Sequence, residues 1–173
     1  APARRDPPVK TVLILRHAKA SDASDGGDAG RPLKKRGRAE APRIGTLLAA
    51  RDLVPERILV SPARRARETA TLAADAAGFD GAIDVEETFY PGEPDDYVAA
   101  LKVLDDACGC VMVVGHNPGL EMLVEELSGR VVSLATATLA QVTVRVERWA
   151  DVELGGEGTL VGVWAARDLA DPR

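Results

Sequence analysis

Aromatic side chains are scarce in this chain. They make up 3% of its 173 residues, while hydrophobic residues as a whole reach 46%. A core of useful size is therefore available, and it has to be built from Val, Leu, Ile and Ala. No apolar run approaches the roughly 20 residues needed to span a bilayer. The N-terminus also lacks the long apolar centre of a signal peptide. A cytoplasmic setting without membrane contact is expected. The chain opens on Ala1 rather than Met, as a trimmed or mature N-terminus would. Cysteine is limited to Cys108 and Cys110, one residue apart. That spacing is too short for an ordinary structural disulfide, and without partner ligands it makes a poor metal site. The pair reads instead as a loop leading into a buried strand. HExxH, CxxC and the phosphate-loop pattern GxxxxGK followed by Ser or Thr are all missing. The net charge of −5 argues against general nucleic-acid binding.

At this length one domain is expected. Residues 1–9 hold three prolines and three charged residues and read as a loose arm, leaving 10–173 as the single domain. Lys10–Leu15 is β-rich and suits a strand buried on both faces. Ser21–Pro32 is punctuated by Asp and Gly and reads as a loop. From Lys34 to Asp52 apolar residues recur at helical spacing, with Pro42 expected near the first turn or at a kink. Arg57–Val60 is a second strand. Ser61-Pro62 then looks like a helix start, Ser as N-cap and Pro at the first helical position. That helix should run to about Ala77 and stop at Gly78. Ile83–Val85 is a short strand, Pro94–Asp106 a helix and Val111–Val114 a buried strand. Pro118–Leu127 is a helix that ends near Gly129. Leu139–Val146 and Thr159–Ala165 are strands joined through the turn at Gly155-Gly156-Glu157-Gly158. Strands alternating with helices predict an α/β fold. The closing hairpin makes its sheet mixed, mostly parallel rather than wholly parallel.

What remains informative is where the rare residues fall. His17 and His116 are the only histidines, and each closes an apolar run. In open α/β sheets ligands bind beyond the carboxyl ends of the strands. Arg16-His17, Ser61 through Arg67, and His116-Asn117 all fall there. Arginine offers a permanently charged planar fork that matches phosphate oxygens. A helix N-terminus at Ser61 or Pro118 would add free amides. Together these features point to an oxyanion site, with phosphate as the natural occupant. A neutral imidazole can accept a phosphoryl group, and a second one can help to neutralise its oxygens. Arg64 and Arg67, and Lys34, Lys35, Arg36 and Arg38, read as solvated helix faces. Glu125 and Glu126 read as exposed.

Four ordered segments carry a resemblance: LILRHAKAS, RPLKKRGRAEA, ILVSPARRARETA and VVGHNPGLE. In these the chain resembles the histidine phosphatase superfamily, within it the SixA-type phosphohistidine phosphatases. The resemblance implies a three-layer α/β/α sandwich of the phosphoglycerate mutase-like kind. It implies that His17 is the phosphorylated nucleophile and His116 the second catalytic histidine. By the same matching, Arg16, Arg65 and Arg31 bind the phosphoryl group, and Asn117 donates its amide or side chain to it. Ala18 stands where the family more often has glycine, a small residue in either case. No cofactor and no metal are implied. The resemblance does not place a general acid; Glu86 and Glu87, just before Phe89-Tyr90, are the candidates.

The expected function is a metal-independent phosphatase with a phosphohistidine intermediate on His17. Its expected partner is a phosphorylated protein or a small phosphorylated metabolite. The lack of an obvious acid favours phosphohistidine, because imidazole leaves more readily than an alkoxide. A small-molecule phosphomonoesterase and a non-catalytic phosphoprotein-binding module are the alternatives. A monomer is the expected state.

Overall fold

The strand that ends at Arg16, just before His17, lies near the middle of a six-stranded sheet. The computed structural model describes residues 8–22 and 25–171. The strands are β1 (Val9–Arg16), β2 (Arg57–Val60), β3 (Ile83–Val85), β4 (Cys110–Gly115), β5 (Thr138–Arg145) and β6 (Thr159–Ala165). They lie in the order β3-β2-β4-β1-β5-β6. β1, β4, β2 and β3 are parallel neighbours, and β5 and β6 close the sheet antiparallel. The mixed, mostly parallel sheet expected from the sequence is therefore observed.

Alternation along the central strands divides the core in two. Val12 and Ile14 of β1 and Val111 and Val113 of β4 face one helical layer, α3 (Pro94–Lys102) and α4 (Gly119–Ser128). Leu13, Leu15, Met112 and Val114 face the other, α1 (Lys35–Ala50) and α2 (Arg64–Ala77). Apolar residues on both faces are what a strand covered on both sides requires. The result is a three-layer α/β/α sandwich. Among the described residues no helix is long and apolar enough to cross a membrane.

The α1–α2 layer packs unusually close, and glycine permits it. A β-carbon on Gly45 would come within 2.1 Å of the Ala73 carbonyl oxygen. Ala66, Ala70, Ala73, Ala74 and Ala77 line the facing side of α2 as fully or nearly fully buried residues. With few aromatics to fill space, small residues let the two helices fill it by approaching one another.

Several boundaries differ from the sequence expectation. Val9 already pairs with Arg145, so it belongs to β1 and not to an N-terminal arm; residues 1–7 of the expected arm lie outside the described residues. α1 runs unbroken past Pro42, which sits in the middle of the helix and not in its first turn. α2 starts at Arg64, later than Ser61-Pro62 suggested, because Ala63 is still extended at ψ 136. The Ser61 hydroxyl accepts from the Ala63 N–H instead of capping a helix. α3 stops at Lys102 rather than near Asp106. Beyond it the Asp105 carboxylate accepts from the Ala107 N–H, and a carboxylate that bonds its own backbone two residues on favours a turn. Cys108 and Cys110 are both free, and Cys110 opens β4. Burial holds the Cys110 thiol up at about 12, which keeps it protonated.

Candidate active site

Three parallel neighbours end together. Arg16 of β1 is level with Gly115 of β4, and Val114 of β4 is level with Val60 of β2. The next residues along each strand, His17, His116 and Ser61, therefore emerge in a row at the carboxyl end of the sheet. Backbone bonds fix their exits. His17 N–H donates to the Gly115 carbonyl, and Ser61 N–H donates to the Val114 carbonyl.

The two imidazoles face each other with ring centroids 5.2 Å apart. Both are buried, His17 with 8% of its surface exposed and His116 with 6%. His17 Nδ1 lies 2.8 Å from the Ala18 carbonyl oxygen. A carbonyl only accepts, so Nδ1 carries the ring proton and Nε2 keeps its lone pair. His116 Nε2 lies 2.7 Å from Ser61 Oγ, and its Nδ1 is buried without a partner. Burial lowers the His17 pKa to about 3, aided by His116, Arg65 and Arg16 and opposed by the Ala18 carbonyl. Burial likewise lowers His116 to about 4, with Arg65 pushing the same way and Asp28 against it. Both rings are neutral near pH 7.

Two guanidiniums are drawn into the site. Arg16 Nη1 donates to the Leu134 carbonyl at 2.9 Å, and Arg16 Nε is buried without a partner. Arg65 lies in the first turn of α2, 5% exposed. Its Nη1 and Nη2 donate to the carbonyl and carboxylate of Asp28 at 2.9 and 3.2 Å. Its Nε, too, is buried and unpartnered. Buried donors without a protein partner are costly unless another acceptor completes them, and an oxyanion is suited to do so. Thr69, one turn along α2, accepts from the Ala18 N–H and donates to the Arg65 carbonyl, tying the residue after His17 to α2. By contrast, Arg64 and Arg67 are exposed; Arg64 pairs with Glu68 and Arg67 donates to the Pro62 carbonyl.

Arg31 arrives by a loop closed on itself. Ala20 and Leu33 form an isolated antiparallel bridge, flanked by Ser21 N–H to Pro32 and Lys34 N–H to Lys19. Next to this bridge Arg31 bonds Asp28 Oδ1 at 3.0 Å and the Ser21 carbonyl at 3.0 Å. Arg31 thus reaches the site through Asp28, and its charge contributes to the lowered pKa of His116. Asn117 follows His116, but its side-chain amide donates to the Leu134 carbonyl at 2.8 Å. The same carbonyl receives Arg16, so Asn117 and Arg16 brace one another. One of its two amide hydrogens is used in this way, and the other remains for the expected donation to a phosphoryl group.

Sequence reasoning overlooked Ser61 as a partner of His116, and Asp28 and Tyr90 altogether. Tyr90 packs edge-on against His116 with centroids 5.5 Å apart, and its hydroxyl donates to Asp28 Oδ2. The Arg65 guanidinium lies 5.8 Å above the Tyr90 ring. Asp28 was legible only as one more turn residue in an Asp/Gly-rich loop, and the DAGRPL spacing to Arg31 was its one available signal. Glu86 and Glu87, the candidate acids, are not the carboxylates that meet these arginines. Glu87 is exposed on a short 3-10 turn, and Glu86 uses its backbone N–H on the Val60 carbonyl. Asp28 meets Arg65 and Arg31, and the Tyr90 hydroxyl, then Arg65 and Arg31, holds it down at about 2; the carboxylate that acts on Arg16 is Glu121, whose Oε2 accepts from the Leu134 N–H.

Comparison with known proteins agrees with this geometry. Residues 12–89 match the family model described as the histidine phosphatase superfamily, branch 1. An uncharacterised chloroplastic protein of Arabidopsis thaliana is 30% identical over 176 residues, spanning 94% of this chain and 78% of that protein. A solved structure of the protein histidine phosphatase SixA complexed with tungstate superposes with a TM-score of 0.80 at 27% identity, covering 91% of this chain and 98% of that one. The putative phosphohistidine phosphatase SixA of Agrobacterium tumefaciens superposes with a TM-score of 0.76 at 30% identity, with the same coverage.

Proposed function

Because the chain belongs to the histidine phosphatase superfamily and is a phosphatase that works through histidine, we propose that it removes the phosphoryl group of phosphohistidine in a protein, by way of a covalent intermediate on His17. The observation that carries this reading is the committed tautomer of His17. With Nδ1–H donated to Ala18 and the ring neutral, Nε2 presents a lone pair where the strand ends meet.

In the first step the Nε2 lone pair of His17 attacks phosphorus. The substrate ring takes a proton from solvent on its free nitrogen before reaction, so that when its bond to phosphorus breaks it departs as neutral imidazole. In the second step a water oxygen attacks phosphorus. The bond to His17 breaks, and inorganic phosphate is released with the ring neutral again. Arg16 and Arg65 are the cations that meet the phosphoryl oxygens, through Nε groups that no protein acceptor engages. Each such donor is worth about 3 kcal/mol in a transition state that accumulates charge on oxygen. His116, steered by Ser61, lends its buried Nδ1 side to the same oxygens. Arg31 contributes through Asp28, and Asn117 keeps Arg16 in place through the shared Leu134 carbonyl.

The leaving group is chosen by what the site does not supply. An alkoxide needs a proton from a positioned acid. The carboxylate bonded to Arg65 and Arg31, Asp28, is held well below neutral pH by the Tyr90 hydroxyl and those guanidiniums and is a poor proton donor. A phosphoramidate leaves without that help. The 30% identity to a protein described as a putative phosphohistidine phosphatase supports the same substrate.

The test is turnover of a phosphohistidine-containing protein or peptide against a panel of sugar phosphates and nucleotides, at equal concentration and with a chelator present. Phosphohistidine should be hydrolysed at least about tenfold faster than any ester, the ratio that 1.4 kcal/mol of leaving-group assistance would otherwise have to supply. Preference for one of the esters would transfer the assignment to a small-molecule phosphomonoesterase.

A further inference from the structure

Asp28 is a puzzle in a site meant for anions. It is a permanent negative charge laid on the very arginines that should receive a phosphoryl group. Its Oδ1 meets Arg31 Nε at 3.0 Å, its Oδ2 meets Arg65 Nη2 at 3.2 Å and the Tyr90 hydroxyl, and its backbone oxygen meets Arg65 Nη1 at 2.9 Å. One residue thus turns three oxygens towards two guanidiniums and a phenol. A phosphoryl group offers three terminal oxygens of its own, and the open Arg65 Nε marks where it would add to this set. Unlike the histidines and Arg65, Asp28 is on the surface, its side chain 55% exposed on the short turn at Asp28–Gly30. Water can therefore take it up when an anion displaces it.

Resting on the phosphatase reading above, we propose that Asp28 is a built-in stand-in for the phosphoryl group, a positioning residue that holds Arg65 while the site is empty and competes with inorganic phosphate for it when the product must leave. The need follows from charge. Arg16 has Glu121 nearby as a counter-charge, but Arg31 and Arg65 converge with two neutral histidines, and without a counter-charge of their own they would retain the phosphate that each turnover generates. Asp28 supplies a negative charge that the phosphoryl group has to push aside on arrival and that returns as it departs. It also keeps the Arg65 fork and the Tyr90 ring oriented between turnovers. The Tyr90 hydroxyl raises the cost of protonating this carboxylate, so the competitor stays charged over the whole neutral range. Asp28 is not assigned a proton-transfer role.

The experiment is calorimetric titration of the intact protein with inorganic phosphate, which requires no turnover. It compares the wild type with Asp28→Asn, Asp28→Ala and Glu125→Gln. Asparagine keeps an oxygen that can accept from Arg65 and Tyr90 but removes the charge; alanine removes both. Glu125 is an exposed residue of α4 that changes net charge by the same amount away from the site. Asp28→Asn should bind phosphate about two- to fivefold more tightly than wild type, the factor expected from a partly exposed ion pair. The gain should shrink as salt is added. Asp28→Ala should show a smaller gain, because Arg65 loses its support, and Glu125→Gln should match the wild type. In turnover, Asp28→Asn should be more strongly inhibited by its phosphate product. Phosphate bound by the wild type but held no more tightly by Asp28→Asn, or a gain equalled by Glu125→Gln, overturns the proposal. Phosphate bound by none of the four proteins overturns instead the reading of the site itself.

Discussion

His17 performs two jobs with two nitrogens, and the backbone decides which does which. Nδ1 is claimed by the carbonyl of the next residue, so the nucleophilic nitrogen is Nε2 by elimination. Burial then keeps the ring uncharged, with the neighbouring cations adding to the effect. His116 is neutral for the same reason. Because both pKa values are lowered, the protonated forms should appear only well on the acid side of an ordinary histidine. The two rings are the protein's only histidines, so their carbon-bound protons are readily followed by NMR. In the phosphate-free protein neither should titrate between pH 8 and about 5, where a solvated histidine with a midpoint near 6.5 would change charge. A midpoint close to 6.5 for either ring would mean that the site is open to water. At this scale the sequence was generous about residues that end strands and silent about those that reach across. His17 and His116 were readable because rarity and position coincided. Asp28 and Tyr90 were not, since only tertiary folding brings positions 28, 65 and 90 together and no local period encodes it.

Helices α1 and α2 place Arg65 by packing against each other, and that packing depends on the absence of a methyl group at Gly45. Gly45→Ala tests two opposing effects. Alanine is intrinsically better in a helix by about 1 kcal/mol, whereas forcing a methyl into a filled core costs about 1–3 kcal/mol. The obstructing atom is the backbone oxygen of Ala73, which cannot swing aside as a side chain would. Steric cost should win, and the urea midpoint should fall by the equivalent of up to about 2 kcal/mol. A midpoint that rises, as helix propensity alone would give, would show that the helices are not in close contact. The helices were legible from their apolar spacing, and Gly78 and Gly129 stop them in the left-handed conformation as their positions suggested. Their starts were less legible. Ser61 has the chemistry of an N-cap, but His116 claims its hydroxyl and the chain stays extended as far as Ala63. A functional contact displaced the local preference there. At α3 it was the reverse: the apolar rhythm continues to Leu104, and the turn-forming Asp105 ends the regular structure first.

Across the whole molecule the decisive arrangement is the order of the strands. β1 and β4 are separated in the chain by nearly a hundred residues, yet they are adjacent and parallel, with Arg16 level with Gly115. That one register puts two histidines side by side. β2 next to β4 adds Ser61 on one side, and the α2 that follows it delivers Arg65. The alternation of strands and helices indicated an α/β sandwich, and the residues at strand ends indicated a shared site. The order of strands, which makes the site a site, is not contained in any local pattern; the family resemblance implied the sandwich, and the structure supplies the order. The central claim is that this arrangement serves to place a phosphoryl group on His17. It is tested most directly by mixing the protein briefly with labelled substrate, quenching in base and locating the label by peptide mapping. A base-stable, acid-labile phosphoryl group on the peptide that contains His17, absent from His17→Ala along with turnover, is the predicted result. Label on another residue, or near-wild-type turnover by His17→Ala, would contradict it.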